Sequence, residues 1–422
     1  MAQKPFLKSI RPVNLLSFGP NTEEIELRPL NILIGPNGGG KSNFIELIGL
    51  LADLPSKEPW STVIETGGAN EWTWKGSNPR GDEPAMSLLA SGQLFPRDAS
   101  GDLANLEPAN LVEKSDFYSI KLKSNDQGAF EVASEVFRQE KRWDDDQIVP
   151  PWLSREGWNC TIHEKNPSSS IDSRSHFSMN PGSSVLSTSG VVSEFAAKVP
   201  HIREFAEKLG DIAFYRDWSF GVDAAPRDPQ PAGLDSRRLD EDMRNLAQVL
   251  KAWRDRGDQP SFHRMLDLMK AFYEPARDVD VELLGTHLRI MIKEESLVSR
   301  TPGTRLSDGT LRWLALLTVL LNPTPPPAVC LEEPELGLHP DILPTLADLL
   351  IDASTRAQLI ITTHSSALVD AFSDNPEAVC VCEKVEGSTV IRRLDKERLK
   401  VWLNDYSLGH LWASGEIGGN RW

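Results

Sequence analysis

Cysteines and long apolar runs are scarce in this sequence, and each shortage narrows the class of protein. Four cysteines occur among 422 residues, and their spacing matches neither a disulfide framework nor a zinc site. We therefore expect a protein of a reducing cytoplasm. No stretch approaches the roughly 18 apolar residues of a transmembrane helix. The polar N-terminus also lacks the apolar core of a signal peptide, so we expect no membrane span or secretion signal.

Positive charge is also in short supply. The 45 lysines and arginines face 61 aspartates and glutamates, for a net charge of -16. This balance disfavours a uniformly basic nucleic-acid surface and attachment to anionic lipid by charge alone, although a local basic groove remains compatible with it. The hydrophobic fraction of 40% is typical of a globular protein, and the length allows several domains or one head with a large insertion.

Sustained heptads are absent, so we expect no long coiled coil. The two terminal segments, residues 1–54 and 301–422, alternate short apolar strands with helices, as an α/β head does. Residues 55–300 differ in character and predict an inserted α+β region. Its predicted elements are hairpins at Phe117–Lys123/Phe130–Phe137 and Val279–Leu284/Thr286–Ile292, amphipathic helices over Leu239–Trp253 and Phe262–Phe272, and a flexible Ser-rich loop near 166–190.

The strongest motif is the segment Gly35-Pro36-Asn37-Gly38-Gly39-Gly40-Lys41-Ser42, which fits the P-loop pattern between a predicted strand and a predicted helix. Glycines let the backbone N–H groups turn toward phosphate oxygens, and the helix N-terminus adds its positive dipole end. Lys41 can reach the β and γ phosphates, and the Ser42 hydroxyl can bind Mg²⁺. The predicted nucleotide-binding residues are Asn37, Gly38, Gly39, Gly40, Lys41, Ser42 and Asn43.

Two adjacent carboxylates, Glu332 and Glu333, end the apolar strand Ala328–Leu331. Adjacent strand residues point to opposite sides, so the two acids can have different tasks. We predict that Glu332 holds Mg²⁺, directly or through water, and that Glu333 polarises the attacking water. The alternative is a pair of solvated acids at a strand tip.

Two weaker motifs follow the same logic. Ser307 and Gly309 open an apolar helix, and a hydroxyl, a glycine amide and a helix N-terminus can hold an anion, although Ser-Asp-Gly is also a common cap. His364 follows the buried strand Leu359–Thr363 and could hydrogen-bond the γ-phosphate and the catalytic water. A histidine at a strand end is otherwise often structural, so order and spacing carry this prediction.

Together these four motifs, in this order, resemble the ABC-ATPase superfamily on its SMC, RecF and OLD side rather than its transporter side. The resemblance extends to the bacterial predicted "AAA family" ATPases of the AAA_21 or AAA_15 type. It covers the two terminal segments and matches the middle only loosely. The runs that carry it are Lys41-Ser42-Asn43, Ser307-Asp308-Gly309-Thr310-Leu311-Arg312, Glu332-Glu333-Pro334-Glu335-Leu336-Gly337-Leu338-His339-Pro340, Thr362-Thr363-His364-Ser365, Tyr406-Ser407-Leu408-Gly409 and Gly418-Gly419.

The resemblance implies an ABC-type P-loop NTPase head with a mixed sheet, a large α+β insertion between the P-loop and the signature motif, and ATP with Mg²⁺ as ligands. It also implies a sandwich homodimer, in which Ser307 and Gly309 of one subunit complete the ATP site of the other. The segment Gly337–His339 would then lie near the dimer seam.

Some features depart from the family or stay open. Glu332 stands where transporter ATPases have Asp, and both Gln93 and Gln139 are candidates for the usual Gln loop. OLD proteins carry a Toprim nuclease domain after the head, and because only 58 residues (422 − 364) follow His364 we expect none here.

Two functions are compatible with these motifs. The first is a slow ATP-hydrolysing switch that dimerises around two ATP and acts on DNA or a DNA-processing partner, in genome maintenance or phage defence. The second is an ATP-dependent scaffold that regulates a separate nuclease or toxin with little hydrolysis of its own. A transporter ATPase is disfavoured because 265 positions (307 − 42) separate Ser42 from Ser307.

Overall fold

The computed structural model describes residues 5–56, 58–76, 86–92, 116–125, 128–139, 152–164, 173–187, 200–216, 218–255 and 259–419. Its strands are β1 Leu7–Val13, β2 Ile25–Glu26, β3 Leu30–Ile34, β4 Met86–Gly92, β5 Asp116–Ser124, β6 Phe130–Gln139, β7 Leu153–Glu156, β8 Asn159–Glu164, β9 Ser173–Ser178, β10 Ala213–Tyr215, β11 Gln230–Pro231, β12 Ala276–Leu284, β13 His287–Glu294, β14 Thr301–Pro302, β15 Ala328–Glu332, β16 Gln358–Thr362, β17 Val379–Val385 and β18 Ser388–Arg393.

Within the same ranges the α-helices are α1 Lys41–Asp53, α2 Ser61–Glu65, α3 Ala69–Trp72, α4 Pro200–Gly210, α5 Leu246–Asp255, α6 Gln259–Phe272, α7 Asp308–Leu320, α8 Leu343–Ala353, α9 Ser366–Asp370, α10 Lys396–Leu399 and α11 Leu408–Ala413. In these parts of the chain, no helix is both long and apolar enough to cross a membrane.

A six-stranded sheet forms the centre of the fold, in the order β10-β15-β16-β3-β17-β18. Its first five strands are parallel, and β18 is antiparallel to β17, so the sheet is mixed as predicted. Strands β3, β15 and β16 are almost wholly buried, which explains their near-continuous apolar sequences. Their carboxyl ends reach a common edge, where parallel α/β sheets bind ligands.

The two faces of this sheet belong to two separate hydrophobic clusters. Alternate residues such as Ile32 and Leu331 pack with α7 and α8 on one face, while Leu33 and Cys330 pack with α1 on the other. This alternation follows from the two-residue repeat of a strand. Cys380 and Cys382 of β17 both lie in the cluster around α1, because residues two positions apart on a strand share one face. The helices therefore cover the sheet from both sides.

An eight-stranded antiparallel sheet, in the order β2-β1-β4-β5-β6-β7-β8-β9, packs into the cluster around α1. A fully buried ion pair ties its middle together, because the Arg155 Nη1 lies 3.0 Å from Glu135 Oε2. The Glu135 carboxylate also accepts hydrogen bonds from the Tyr118 hydroxyl and the Ser184 hydroxyl, each at 2.6 Å. Both oxygens of the buried carboxylate are thus satisfied, as burial of a charge requires.

Segments from residues 55–300 contribute to these sheets. Strand β10 pairs in parallel with β15 at the edge of the central sheet, and strands β4 to β9 extend the sheet that β1 and β2 begin. The division into a head of residues 1–54 and 301–422 and an inserted region of residues 55–300 stays a prediction. The strand pairings themselves show that the middle segment shares its hydrogen bonding with the ends.

Most predicted elements form as expected, and two do not. The hairpins β5–β6 and β12–β13 are present with antiparallel pairing. The predicted helix over Leu239–Trp253 was wrong in its first part, because α5 begins only at Leu246 and Met243 has φ +58°. There the Asn245 side chain hydrogen-bonds the backbone of Asp240 and Arg238, which competes with helix formation.

The Ser-rich stretch near 166–190 was predicted to be a flexible loop throughout, and this was wrong for its central part. Residues Ser173–Ser178 form β9, which pairs antiparallel with β8 from Asn159↔Ser178 to Glu164↔Ser173. Pairing along the free edge of β8 gives these residues backbone hydrogen bonds, which the composition of the segment does not predict. Residues 166–172 and 188–190 of the predicted loop lie outside the described part of the chain.

Candidate nucleotide site

Four chain segments meet at the carboxyl edge of the central sheet. The P-loop follows β3, Glu333 follows β15, His364 lies just beyond β16, and Arg216 follows β10. The register explains the meeting, because Glu332 pairs with Thr362 and Thr362 pairs with Leu33. Residues distant in sequence therefore reach one edge at the same height.

The P-loop glycines are needed for backbone geometry. Gly35, Gly38 and Gly40 have φ of +148°, +76° and +99°, a region that L residues with side chains rarely adopt. A Cβ on Gly35 would lie 2.2 Å from the Cys382 carbonyl oxygen, and one on Gly40 would lie 2.2 Å from Thr389 Oγ1. A Cβ on Gly38 would meet no atom within 4 Å, so the tip of the loop is open.

Lys41 begins α1 and is buried against the loop that precedes it. Its Nζ donates to the carbonyl oxygens of Gly35, at 2.8 Å, and Pro36, at 3.1 Å. Burial lowers the pKa of the Lys41 ammonium, while the nearby carboxylates of Glu333 and Glu332 act in the opposite direction. The loop carbonyl groups thus hold the ammonium within electrostatic range of both carboxylates. A bound phosphate would add negative charge at the same place.

Ser42 and Glu332 approach each other across the edge. The Ser42 hydroxyl lies 3.3 Å from Glu332 Oε2, and Ser42 itself is exposed. Burial raises the pKa of the Glu332 carboxyl, and the neighbouring Arg216 guanidinium opposes that rise. A hydroxyl and a carboxylate at this separation are oxygen ligands of the kind that Mg²⁺ prefers.

Magnesium usually keeps several waters and substrate oxygens and needs few protein ligands. Within the described ranges, no group of three His, Cys, Asp or Glu residues could hold a metal by itself. The pair Ser42 and Glu332 fits an ion that takes its remaining ligands from phosphate and water.

Glu333 has an unusual backbone conformation. Its φ is +45°, which is sparsely populated for a residue with a long side chain and recurs at functional sites. Its amide donates to the Thr362 carbonyl oxygen at 3.0 Å, which fixes the chain where β15 leaves the sheet. The carboxylate Oε1 lies 3.7 Å from His364 Nε2. The predicted water-activating acid and the predicted phosphate-contacting histidine are therefore neighbours.

Glu335, which was not among the predicted site residues, holds the backbone at His364. Its carboxylate accepts hydrogen bonds from the Thr363 hydroxyl and from the His364 amide, the latter at 3.3 Å. Burial raises the pKa of the Glu335 carboxyl, and Oε2 has no hydrogen-bond partner in the described structure. The sequence offered one signal for this residue. Glu335 is a third acid directly after a buried strand, in the run Glu-Glu-Pro-Glu that also carries the two predicted site acids.

Arg216 is a second residue that the sequence motifs did not reveal. The parallel pairing Tyr215↔Leu331 places it beside Glu332, and its Nη2 lies 2.7 Å from where a Cβ on Gly49 would be. Its Nε is buried with no partner among the described residues. The glycine inside the predicted helix was the available signal, since a helix interior keeps glycine mainly where something approaches closely.

Ser307 and Gly309 form a separate group on the signature helix α7. Ser307 caps the helix, with Oγ accepting from the Thr310 amide at 3.1 Å, and a Cβ on Gly309 would lie 3.0 Å from the Gly337 carbonyl oxygen. Arg227 forms an ion pair with Asp308. Ser307 is exposed, so the cap is open to solvent.

The remaining predicted positions have simple placements. Asn37 is exposed at the loop tip beside Gly38, Gly39 is buried, and Asn43 is half-buried in the first turn of α1. Of the two Gln-loop candidates, Gln93 lies outside the described residues. The other, Gln139, ends β6 in the antiparallel sheet.

Comparison with known proteins adds to this geometry. The family model described as "AAA domain, putative AbiEii toxin, Type IV TA system" matches residues 30–370. Among solved structures, the chain is similar to an SMC head bound to the C-winged helix domain of ScpA, with 12% identity and a TM-score of 0.54, covering 93% of this chain and 99% of that chain.

The chain is similar as well to an SMC head domain with an extended coiled coil bound to the C-terminal domain of ScpA, derived from Pyrococcus furiosus. That match has 12% identity and a TM-score of 0.53, and covers 95% of this chain and 99% of that chain. No curated protein matches the sequence. At this identity, the likeness shows the fold.

Proposed function

The chain belongs to the AAA_21 family of P-loop ATPases, and on that premise we propose that it binds ATP with Mg²⁺, hydrolyses it, and dimerises around two ATP molecules. The observation that carries the proposal is the convergence of Lys41, Ser42, Glu332, Glu333 and His364 at one edge of the sheet. The Ser42 hydroxyl lies 3.3 Å from Glu332 Oε2 and Glu333 Oε1 lies 3.7 Å from His364 Nε2, so the two proposed metal ligands adjoin each other and the proposed water-activating acid adjoins the histidine.

Each residue has a task that its surroundings support. The P-loop amides surround the phosphates, and the Lys41 ammonium leaves its two carbonyl partners to neutralise phosphate charge. Ser42 and Glu332 would hold Mg²⁺, which supplies charge neutralisation at the β and γ phosphates when bound. Glu333 orients and polarises the water for in-line attack. His364, steadied through Glu335, donates to the γ-phosphate.

The signature group completes the site in trans in this proposal. Ser307 is exposed and Gly309 is half-buried at a helix N-terminus, where a second copy could place its nucleotide against them. Gly337 lies against Gly309 within the chain, which joins the acidic segment after β15 to the same surface. Hydrolysis would remove the γ-phosphate that both subunits hold and so open the dimer.

The most direct experiment measures phosphate release and molecular mass together, for wild type and Glu333→Gln. We expect slow release by wild type and a loss of roughly 100-fold or more in the variant, the usual contribution of a positioned base. The variant should still bind ATP and should form an ATP-dependent dimer in sedimentation. Glu397→Gln makes the same change on the exposed helix α10 and should behave as wild type. Equal turnover in all three proteins would contradict the role of Glu333.

The switch is proposed to act on DNA or on a DNA-processing partner, in genome maintenance or phage defence. Duplex and single-stranded DNA added to the same assay should stimulate phosphate release or shift the dimer equilibrium. Turnover and mass that ignore every DNA form would remove DNA from the proposal and leave the ATPase intact.

The family description names a toxin–antitoxin system, so a second candidate is that the chain works as one part of a two-component system. In that case the chain is an ATP-dependent scaffold for a separate nuclease or toxin, with little hydrolysis of its own. An ATP-dependent dimer of wild type with negligible phosphate release would support this candidate over the switch.

A further inference from the structure

The segment Ser407–Gly419, here called the closing segment, has no task in the P-loop mechanism, although its glycines belong to the motifs singled out in the sequence. It includes α11 and then runs back toward the nucleotide edge. Its two ends contact different parts of that edge.

The first contact lies behind His364. Helix α9 begins right after Ser365, and Gly409 packs against it so closely that a Cβ would lie 2.2 Å from the Ser366 carbonyl oxygen. The Gly409 amide donates to Asp370 Oδ1 at 2.6 Å, and the Leu408 amide donates to Ser373 Oγ at 2.9 Å. The start of the closing segment is therefore fixed to the helix that follows His364.

The second contact lies on the P-loop. Gly419 is buried, and a Cβ on it would lie 3.4 Å from the Gly35 Cα and 2.6 Å from Val381 Cγ1. Its amide donates to Glu383 Oε1 at 2.6 Å, and its carbonyl oxygen accepts from Trp412 Nε1 at 3.0 Å. The first glycine of the P-loop is thus packed against a backbone that two hydrogen bonds hold in place.

The stretch between the two contacts is firmly packed. Leu408, Leu411, Trp412 and Ile417 are buried in the same hydrophobic cluster as Ile34, the last residue of β3. Close packing transmits displacement, because no gap absorbs it. A movement of Gly35 therefore displaces Gly419. The packed stretch transmits that displacement to α9, the helix that follows His364.

We propose that the closing segment is a positioning strap that fixes the P-loop relative to His364 and thereby sets the affinity for ATP. The inference rests on the proposed ATP binding at this edge. Its positioning residues are Gly419, Glu383 and Trp412, none of which touches the nucleotide. Because coupling is reciprocal, ATP binding should in turn hold the closing segment more tightly.

The test compares ATP affinity in Gly419→Ala and Gly387→Ala. Both glycines have similar positive φ, +72° and +79°, but a Cβ on Gly387 would meet no atom within 4 Å. We expect the Kd for ATP to rise about 10-fold in Gly419→Ala and to stay within about 2-fold in Gly387→Ala. Only the Cβ of the first overlaps a neighbour, Val381 Cγ1 at 2.6 Å, and Val381 pairs with Ile34 directly before the P-loop.

Trp412→Phe is a milder second variant, because it removes the Nε1–H donor and keeps an aromatic ring in the cluster. It should also raise the Kd for ATP, by about 3-fold to 10-fold, a loss of the size of one hydrogen bond. Hydrogen exchange of wild type should show that ATP protects the amides near Gly419. A purely structural role would lower the urea midpoint of the variants with no change in Kd and no ATP-dependent protection.

The outcomes separate the strap from the proposed function. If wild type binds ATP and Gly419→Ala and Trp412→Phe bind it as tightly as wild type does, the proposed strap is overturned and the proposed ATP site stands. If wild type binds no ATP, the proposed ATP binding and the strap that rests on it are both overturned. Weaker binding by Gly419→Ala and Trp412→Phe, with normal binding by Gly387→Ala, supports the strap.

Discussion

Gly40→Ala is expected to be one of the most damaging single-methyl additions in the molecule. Gly40 has φ +99°, and an L residue in the left-handed region costs roughly 1–2 kcal/mol. The added Cβ would also lie 2.2 Å from Thr389 Oγ1, 2.6 Å from its Cγ2 and 2.9 Å from its Cβ. Overpacking of this kind typically adds about 1–3 kcal/mol. The two effects sum to about 2–5 kcal/mol of lost stability.

Gly38→Ala supplies the matched control, because it shares the strain without the overlap. Gly38 has φ +76°, and a Cβ there would meet no atom within 4 Å. Its loss should be about 1–2 kcal/mol. Urea unfolding followed by tryptophan fluorescence should therefore place the midpoint of Gly40→Ala well below that of Gly38→Ala, with similar slopes for both.

A double-mutant cycle with Thr389→Ala isolates the overlap. Thr389→Ala removes the two nearest atoms, together with the hydrogen bonds of the hydroxyl to Ser17 Oγ and the Gly39 carbonyl oxygen. In that background Gly40→Ala should cost less than in wild type, because only the Cβ of residue 389, at 2.9 Å, still overlaps the added methyl, which gives a coupling energy of about 1 kcal/mol or more. Additive losses would refute the claim that Thr389 closes the space beside Gly40.

Two further predictions concern buried charge. Arg155→Met should lower the free energy of unfolding by about 3–5 kcal/mol, because it leaves the Glu135 carboxylate buried without its cation. Arg203→Met, in an exposed pair with 61% of each side chain accessible, should change it by less than about 0.5 kcal/mol, and equal losses would contradict the burial argument. Thr363→Val should cost about 1–3 kcal/mol and also slow phosphate release, since it removes the hydroxyl that holds Glu335 below His364. A stability loss with normal phosphate release would show that Glu335 does not position the histidine.

The sequence predicted the central strands well because each carries a strong local signal. Short apolar runs that stop at Gly35, Glu332 and His364 become β3, β15 and β16, and the order of motifs along the chain gave the resemblance to SMC-side ABC ATPases. The family match confirms the AAA_21 part of that resemblance, and the likeness to SMC heads shows the fold that it implied. Their short length and the residues that end them favour buried strands over buried helices.

What the sequence did not reveal depends on contacts between distant segments. Strand β10 has only three residues, so the sequence did not predict its pairing with β15, which places Arg216 beside Glu332. Glu335 lies only two residues past Glu333, yet its task depends on the loop after β16. The apolar spacing from Leu239 to Trp253 fitted a helix, but side-chain hydrogen bonds to the backbone delayed its start.

The residue assignments of the nucleotide site stay predictions, and the geometry now gives them specific tests. The proposed role of Ser307 and Gly309 in trans is tested by whether the ATP-dependent dimer forms. Glu332 has a longer side chain than the Asp of transporter ATPases. Its carboxylate nevertheless lies beside the Ser42 hydroxyl, which is compatible with a pair of Mg²⁺ ligands.

Equilibrium binding of Mg²⁺–ATP by wild type and Lys41→Met tests the central claim most directly. Wild type should bind ATP, and the variant should bind it at least about 10-fold more weakly, because a charged contact to phosphate is worth roughly 1.5–3 kcal/mol. Lys396→Met, on α10, should bind as wild type does. Absence of binding by wild type, or equal binding by Lys41→Met, would contradict the assignment of this edge as the ATP site.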